Sequence, residues 1–339
     1  MRISRADTQS DELGDGKFRY RVVPEWGQLP DGFVFGDVVG LATDSKDRAY
    51  IFNRGDHPVV VLDRDGRFIQ SWGEGQFVRP HGICIGADDS VYCTDDVDHT
   101  VRKYSLDGRL LLKLGTSGQS SDSGINGWNY LSIQRAAPPF HLPTNLAVAP
   151  DGTLVISDGY GNARIHRFSA EGKLLHSWGA PGSGPGQFNL PHGIAVDRNG
   201  RVYVADRENS RVQIFSPDGE FIDQLTDLVR PTEVFIDPPG NILITEFGWH
   251  AGIFPWHVLP AHRPFGRVSI YDADTRLLAR WGGGSDPTAP GQFFAPHDVW
   301  MDRAGDVYIT EVLSSGGFKR ADYGREGHLL QKFTPVAST

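Results

Sequence analysis

Three histidines occupy equivalent places in the sequence and could together bind a metal ion. His81, His192 and His297 each follow a proline and begin a similar apolar run, at nearly equal separations of 111 and 105 residues. Three imidazoles that meet at one point leave a fourth position open for water or substrate, which is the ligand set of catalytic zinc. Iron, copper and nickel also accept imidazole ligands, so residue type alone leaves the metal open. A turn in which each histidine only bonds locally is the structural alternative.

The histidines belong to a sixfold internal repeat. Three further copies of the same apolar run begin at Val39, Thr144 and Thr232, and they alternate with the histidine copies along the chain. The shortest spacing between successive copies is 40 residues, a period typical of propeller blades. Each unit contains short β-rich runs separated by turn residues, four to a complete unit, which predicts a four-stranded antiparallel sheet. The predicted fold is therefore all-β, a six-bladed β-propeller.

The two ends of the chain complement each other. The sixth unit stops after its third run, at residues 329–334, whereas residues 20–27 have the Trp-Gly ending of a fourth run. We predict that the N-terminal strand completes the last blade and closes the ring, because closure removes an exposed sheet edge. The predicted organisation is a polar tail over residues 1–17 and a single propeller domain over residues 18–335.

Two repeat units carry insertions, at about residues 118–140 and 248–266. The first is rich in serine and glycine, and the second is rich in aromatic residues and histidine. Loops of this length in a compact domain are usually functional. Both insertions are candidates for lids over a site, with surface decoration as the alternative.

Ring closure places the three histidines around a central channel. The first strand of each blade of a propeller lines the channel, so equivalent positions form a ring at one height. Alternate blades of a six-bladed ring are a third of a turn apart, so His81, His192 and His297 point inward from three evenly spaced directions. This alternation predicts a three-histidine metal site as the active site, with zinc as the metal.

The loops after the second strands are expected on the same face as this ring, because the second strand runs antiparallel to the first. They contain Arg54, Arg207 and Tyr160. The two arginines belong to blades one and four, on opposite sides of the channel. Arginine suits bidentate binding of a carboxylate, so we predict an anionic substrate group. Solvated pairing with acids such as Asp56 or Glu208 is the alternative, and Tyr160 is a candidate general base.

Composition limits the other functional classes. The chain has 339 residues and a formal net charge of -9, which disfavours a nucleic-acid partner. No stretch approaches 18 apolar residues, and residues 1–17 lack the apolar core of a signal peptide. We predict a cytoplasmic protein with no membrane partner, a monomer or weak homo-oligomer. Cys84 and Cys93 are expected on adjacent strands, where free thiols or a cross-strand disulfide would both fit.

The repeats resemble NHL repeats, and their ordered motifs resemble peptidyl-α-hydroxyglycine α-amidating lyase (peptidylamidoglycolate lyase). The resemblance covers about residues 20 to 335. It rests on the segments that contain the candidate residues: 53–57, 80–82, 158–164, 191–192, 205–211 and 296–298.

This resemblance implies a six-bladed propeller with zinc held by three histidines and with two arginines and a tyrosine acting on the substrate. The matching positions are His81, His192, His297, Arg54, Arg207 and Tyr160. It also implies a structural calcium ion held by an aspartate that matches Asp298 and by two backbone carbonyls. For those carbonyls the matches are Leu41 and Ile83.

The reaction that the resemblance implies is cleavage of the N–C bond of an α-hydroxyglycine-like carbinolamide to an amide and glyoxylate. Our hypothesis is that zinc binds the hydroxyl and carboxylate oxygens, Tyr160 removes the hydroxyl proton, and Arg54 and Arg207 hold the carboxylate. The expected substrate is a small carboxylate-bearing α-hydroxy-amide. Two other functions stay open: a metal-dependent hydrolase such as a lactonase, whose propeller sites use Glu, Asp and Asn around calcium, and a non-catalytic NHL interaction scaffold.

Overall fold

A computed structural model describes residues 12–249 and 264–337. Six antiparallel sheets follow one another in chain order and form six blades. The first strand of each blade lies beside the first strand of the next, and that of blade six lies beside that of blade one. The ring is therefore closed, and the predicted six-bladed all-β propeller is confirmed.

Blades one to five each come from one continuous stretch, with strands ordered from the channel to the rim. In blades one and two the strands are Val38–Thr43, Ala49–Asn53, Val59–Leu62, Phe68–Trp72, and Pro80–Ile85, Val91–Asp95, Thr100–Tyr104, Leu110–Leu114. In blades three and four they are Asn145–Val148, Leu154–Asp158, Arg164–Phe168, Leu174–Trp178, and Pro191–Val196, Val202–Asp206, Arg211–Phe215, Phe221–Leu225. In blade five they are Pro231–Ile236, Ile242–Glu246, Arg267–Tyr271 and Leu277–Gly282.

Blade six joins the two ends of the chain. Its inner strands are Pro296–Met301, Val307–Glu311 and Leu330–Pro335, and its fourth strand is Phe18–Val23. The third and fourth strands pair in antiparallel register from Tyr20 opposite Pro335 to Val23 opposite Lys332. Closure by the N-terminal strand is thus confirmed. Part of the expected polar tail adds a fifth strand, Glu12–Asp15, whose Glu12 carboxylate pairs with Arg19 and Arg21.

Helical structure in the described residues is limited to segments of three or four residues. The 3₁₀ helices are Tyr130–Ser132 and Arg207–Asn209, and the α-helices are Leu313–Gly316 and Arg320–Tyr323. A separate pair of short parallel strands is formed by Ala180–Pro181 and Gln187–Phe188. Across residues 12–249 and 264–337, none of these helices has the length and apolarity needed to cross a membrane. Of the predicted second insertion, 248–266, residues 250–263 lie outside the described residues. Cys84 and Cys93 are both free thiols.

The second strand of most blades ends in a buried acid that is tied to its own blade. Asp206 pairs with Arg211, Glu246 pairs with Arg267, and Asp158 contacts His166. These contacts fix the start of the loop that follows each second strand. The repeated acids are therefore structural, as their recurrence in the sequence indicated.

Glu311, the acid of blade six, makes a different set of contacts. One carboxyl oxygen accepts hydrogen bonds from the amides of Phe294 and Ala295 at 2.7 and 2.9 Å. The other oxygen is buried without a hydrogen-bond partner in the described part of the chain. Burial raises the pKa of Glu311 to about 8. Burial in the folded protein therefore favours the protonated form of this carboxyl.

We expect Glu311→Gln to make stability less sensitive to alkaline pH. The pKa of Glu311 is higher in the folded protein than the unfolded value of 4.5. Below pH 4.5 this group therefore does not weaken the folded state, and its cost to the free energy of unfolding grows as the pH rises toward 8. Both proteins should melt at similar temperatures near pH 5, and the variant should melt a few degrees higher at pH 9, since roughly 2–4 °C corresponds to 1 kcal/mol. Thermal melts at both pH values test this. An equal difference at both would contradict it.

Candidate functional site

Each predicted ligand histidine lies in a β-bulge at the start of a channel-lining strand. In blade two, Pro80 pairs with Asp95 and Gly82 with Thr94, so His81 is the extra residue. The register shifts in the same way at His192 and His297. A bulge redirects the side chain of the residue that it leaves unpaired. The chain thereby turns three histidines out of the sheet and into the channel.

The residue after each histidine packs against the next first strand. A Cβ atom on Gly82 would lie 2.4 Å from the Asn145 side-chain oxygen, and one on Gly193 would lie 2.5 Å from the Cα atom of Glu233. Glycine is therefore required in blades two and four, because any side chain would collide with the neighbouring blade. Blade six has Asp298 at this position, and its carboxylate reaches the Leu41 amide of blade one.

The three imidazoles meet on the axis of the ring. One ring nitrogen of each of His81, His192 and His297 lies within 4.8 Å of the others. Three atoms at such separations share a centre at most about 2.8 Å from each, close to the zinc–imidazole distance of about 2.0–2.1 Å. The side chains are almost fully buried, with 1–4% of their surface exposed. The convergence that the alternating repeat predicted is thus a feature of the structure, whereas metal binding stays a prediction.

Hydrogen bonds fix the orientation of each ring. Nδ1 of His81, His192 and His297 lies 2.7 Å from the backbone oxygen of Thr144, Thr232 and Val39, respectively. A carbonyl oxygen only accepts, so Nδ1 carries the proton and donates it. Nε2 then presents its lone pair to the axis. This is the second-sphere arrangement that orients metal-binding histidines.

The blades between the histidine blades also hold the backbone before each ligand. The Thr144 hydroxyl donates to the Pro191 oxygen and the Thr232 hydroxyl to the Pro296 oxygen, both at 2.9 Å. Nε of Arg54 donates to the Pro80 oxygen at 3.0 Å. Each ligand is thus positioned from two neighbouring blades. The threonines at the alternate ring positions are part of the scaffold of the histidine cluster.

Electrostatics keep the three imidazoles neutral. Burial lowers the pKa of each well below its ordinary value. The neighbouring imidazoles lower it further for His81 and His192, and Arg54 does so for His297. Metal binding requires the neutral imidazole. Three oriented, neutral nitrogen donors around one point therefore fit a zinc ion.

Tyr160 and Arg207 lie directly above the histidine cluster. The Tyr160 hydroxyl is 3.1 Å from Nε2 of His81 and 3.4 Å from Nε2 of His192. Nη1 of Arg207 donates to that hydroxyl at 3.3 Å. Burial alone would lower the pKa of Arg207, but Tyr160 and Glu208 outweigh it and raise that pKa. A fixed positive charge therefore faces the phenol oxygen.

Arg54 reaches the site from the opposite side. Its Nη1 donates to the Ser315 hydroxyl at 2.7 Å and lies 3.6 Å from the Asp37 carboxylate. Burial, followed by the charge of Arg79, lowers the pKa of Arg54. A guanidinium whose positive charge is disfavoured by its surroundings gains from a bound anion. The two arginines and the tyrosine predicted from the loop positions thus line one pocket with His297.

The same pocket contains residues that sequence reasoning missed. Its volume is about 240 Å³, and the added lining side chains include Arg79, Trp128, Arg230 and Phe247. Arg79 and Arg230 both precede the proline that starts a first strand, in blades two and five. This repeated slot on opposite blades was a usable sequence signal. Trp128 comes from the insertion at 118–140, which has no repeat counterpart to align.

Arg230 supports Arg207 through a shared carboxylate. Arg230 is fully buried, and its Nε and Nη2 donate to the two oxygens of Glu208 at 3.0 and 2.7 Å. Nε of Arg207 donates to Glu208 at 2.8 Å. Both guanidiniums also lie over the ring of Phe247. The predicted alternative of a solvated Arg207–Glu208 pair is therefore wrong, because this pair is buried at the pocket wall.

A larger and mainly apolar cavity, of about 560 Å³, opens at the other end of the first strands. It is lined in part by Asn145, Glu233 and Asp298. Burial, followed by the neighbouring Asp298, raises the pKa of Glu233, and burial raises that of Asp298 to about 7. This cavity is the larger of the two, but the His297 imidazole, the Tyr160 phenol and the guanidiniums of the arginines line the smaller one.

The calcium position implied by the resemblance falls near this second cavity. The Asp298 carboxylate accepts a hydrogen bond from the Leu41 amide at 2.8 Å. Ile83 packs beside Gly40, which is on the same strand as Leu41, the first strand of blade one. The contact between Asp298 and Leu41 is thus made through the amide of Leu41. Calcium binding by Asp298, Leu41 and Ile83 stays a prediction.

These features define an NHL-type six-bladed propeller with a polar pocket at one mouth of its channel. The NHL repeat profile matches residues 188–215. NHL repeat-containing protein 3 of Homo sapiens is 35% identical over 244 residues, which cover 67% of this chain and 67% of that protein. The chain therefore belongs to the NHL-repeat family.

Other relatives confirm the resemblance to amidating lyases. Peptidyl-alpha-hydroxyglycine alpha-amidating lyase 1 of Drosophila melanogaster is 30% identical over 329 residues, covering 89% of this chain. Peptidyl-glycine alpha-amidating monooxygenase B of Xenopus laevis is 32% identical over 334 residues, covering 88% of this chain. The chain spans 54% of the length of the fly lyase and 35% of that of the frog monooxygenase. These similarities support an enzyme of the lyase class in general.

Solved structures agree on the fold. A gluconolactonase of Xanthomonas campestris superimposes with a TM-score of 0.60 over 96% of this chain and 91% of its own, at 15% sequence identity. At this identity the likeness supports the propeller fold alone.

Proposed function

We propose that the protein is a zinc-dependent carbon–nitrogen lyase. In this proposal it cleaves the N–C bond of a small N-acyl-α-hydroxyglycine to give an amide and glyoxylate. One observation carries the proposal: three Nε2 atoms converge beside the Tyr160 hydroxyl, which also receives a hydrogen bond from Arg207. The names of the lyase relatives support the same reaction class.

The arginines supply the binding energy for the carboxylate. Arg54 and Arg207 extend from blades one and four into one pocket. Arginine binds a carboxylate through paired N–H donors. A glycolate carboxylate held between them leaves the α-hydroxyl directed at Tyr160 and the histidine cluster.

Tyr160 is placed to move the proton. In the proposed reaction Tyr160 acts as a phenolate, whose negative charge the adjacent Arg207 stabilises, and its oxygen takes the proton of the α-hydroxyl. The O–H electron pair forms the C=O bond of glyoxylate as the C–N bond breaks. The C–N pair leaves with nitrogen, which receives the proton from Tyr160 and becomes the amide. A bound zinc ion would act as a Lewis acid that makes the hydroxyl more acidic.

Two measurements test the proposal together. Metal analysis of the purified protein should give close to one zinc per chain. Incubation with α-hydroxyhippurate should release glyoxylate and benzamide in equal amounts, and chelation should abolish the release. Zinc-free protein with undiminished activity, or zinc-loaded protein with no glyoxylate release from any small α-hydroxyglycine amide, would contradict it.

We expect Arg207→Lys to raise KM with a smaller effect on kcat. A lysine loses the paired donors, and hydrogen bonds to charged groups contribute about 1.5–3 kcal/mol, so KM should rise about 10- to 100-fold. Steady-state kinetics with α-hydroxyhippurate measure this. Arg280→Lys is the matched control, since Arg280 lies on the outer strand of blade five and pairs with Asp227. An unchanged KM in Arg207→Lys would remove this residue from carboxylate binding.

A calcium-dependent hydrolase is the second candidate, because Asn145, Glu233 and Asp298 bring amide and carboxylate groups together in the channel. Those carboxylates already accept protein hydrogen bonds: Glu233 from the Ile194 and Val234 amides and from Asn145, and Asp298 from Leu41. The Nε2 atoms of the histidines receive no backbone donor in the described residues. Zinc at the histidines is therefore favoured. Stoichiometric calcium with no zinc would reverse this choice.

A further inference from the structure

The exposed fraction of the lining side chains rises from the bottom of the pocket to its opening. The histidines are 1–4% exposed, Tyr160 is 8% exposed, and Trp128 is 44% exposed. The side chain of Arg79 is 28% exposed. Arg79 and Trp128 therefore form the outer part of the pocket, beyond the groups that the proposed reaction uses.

The planar groups of Arg79, Trp128 and Tyr160 pack against one another along one side of the pocket. The guanidinium carbon of Arg79 lies 5.2 Å from the Trp128 ring centroid and 6.0 Å from that of Tyr160. The Trp128 and Tyr160 rings meet edge to face at 5.8 Å. A phenol, a guanidinium and an indole thus follow one another toward solvent. Such surfaces stack on planar groups.

Arg79 is fixed in place but keeps donors available. Its Nη1 forms an ion pair with the buried carboxylate of Asp96. In the described part of the chain, its Nε and Nη2 have no hydrogen-bond partner. Since Asp96 is buried and anchors the guanidinium, the remaining N–H groups can face a ligand without losing the ion pair.

We propose that Arg79 and Trp128 are specificity-determining residues that bind the acyl half of the substrate and favour a compact, planar acyl group. This rests on the proposed lyase function. With the carboxylate between Arg54 and Arg207 and the hydroxyl at Tyr160, the acyl group on nitrogen is the part that points to the mouth. A pocket of about 240 Å³ is smaller than the roughly 300–1,000 Å³ of drug-sized sites. It therefore suits a benzoyl-sized group better than an extended peptide.

The test compares two substrates that differ only in the acyl group. We expect Trp128→Ala to lower kcat/KM for α-hydroxyhippurate about tenfold, the loss of one aromatic stacking contact, and that for N-acetyl-α-hydroxyglycine less than about twofold. The double variant Arg79→Gln with Asp96→Asn avoids an unpaired buried carboxylate and should show the same selectivity loss. Leu131→Ala, an exposed residue of the same insertion, should change neither value. Equal losses for both substrates, or none, would overturn the proposal.

A binding measurement separates this proposal from the lyase reaction itself. Hippurate and N-acetylglycine lack the hydroxyl and cannot be cleaved. Calorimetry should show tighter binding of hippurate to the wild-type protein and loss of that preference in Trp128→Ala. If no α-hydroxyglycine releases glyoxylate, the lyase proposal fails while this binding preference still decides the role of Trp128. No preference for hippurate in the wild type would refute that role.

Discussion

His192→Ala should lose its zinc and lower kcat/KM by about 10³-fold or more, because a metal Lewis acid contributes several kcal/mol of transition-state stabilisation. Two imidazoles remain, and they cannot complete the three-nitrogen set on the axis. The measurement is metal content by elemental analysis together with glyoxylate release. Equivalent losses are expected for His81→Ala and His297→Ala, since the three rings are related by the alternation of the blades.

The control for this experiment is His176→Ala. His176 lies on the fourth strand of blade three and stacks on Trp178, so its loss tests general destabilisation. It should keep full zinc content and activity. Full zinc content in His192→Ala, with a native melting temperature, would show that the histidine cluster is not the metal site.

Tyr160→Phe should lower kcat by about 10²- to 10⁴-fold, the usual contribution of a general acid–base group. Zinc content should not change, because the tyrosine is not one of the three nitrogen donors. KM should change little, since Arg54 and Arg207 remain. The substitution removes one oxygen atom, which contacts His81, His192 and Arg207.

The matched control is Tyr271→Phe, which removes a hydroxyl bonded to the Asp227 backbone oxygen on the outer part of blade five. Its kinetics should equal those of the wild type. Unchanged kinetics in Tyr160→Phe would exclude the tyrosine from proton transfer and leave the reaction without its proposed base.

The repeat made most of the fold predictable from sequence. The six copies of the apolar run predicted the blade count, and the matching incomplete ends predicted the closure that the pairing of Tyr20 with Pro335 confirms. The same periodicity placed three histidines on one axis. Arg54 and Arg207 followed because they occupy the same position after the second strand, and Tyr160 followed because it lies in the corresponding loop of blade three.

Features outside the repeat could not be predicted in this way. Trp128 lies in an insertion without a counterpart, so no other blade indicated that its ring would reach Tyr160. Arg230 repeats the position of Arg79 before a proline, but that pattern does not indicate its contact with Glu208, which only the folded chain makes. The strand Glu12–Asp15 was missed because the predicted boundary assigned it to the polar tail, although it pairs with Phe18–Val23.

Closure of the ring by the N-terminal strand means that a metal ion bound on the axis would also stabilise the assembled propeller. The three histidines belong to blades two, four and six, and blade six needs residues from both chain ends. A cation bound by all three histidines would hold these blades together, since opening the ring would separate its ligands. Ligands that bind only the folded form stabilise it in proportion to their affinity, so the metal would slow the separation of the chain ends as well as serve chemistry.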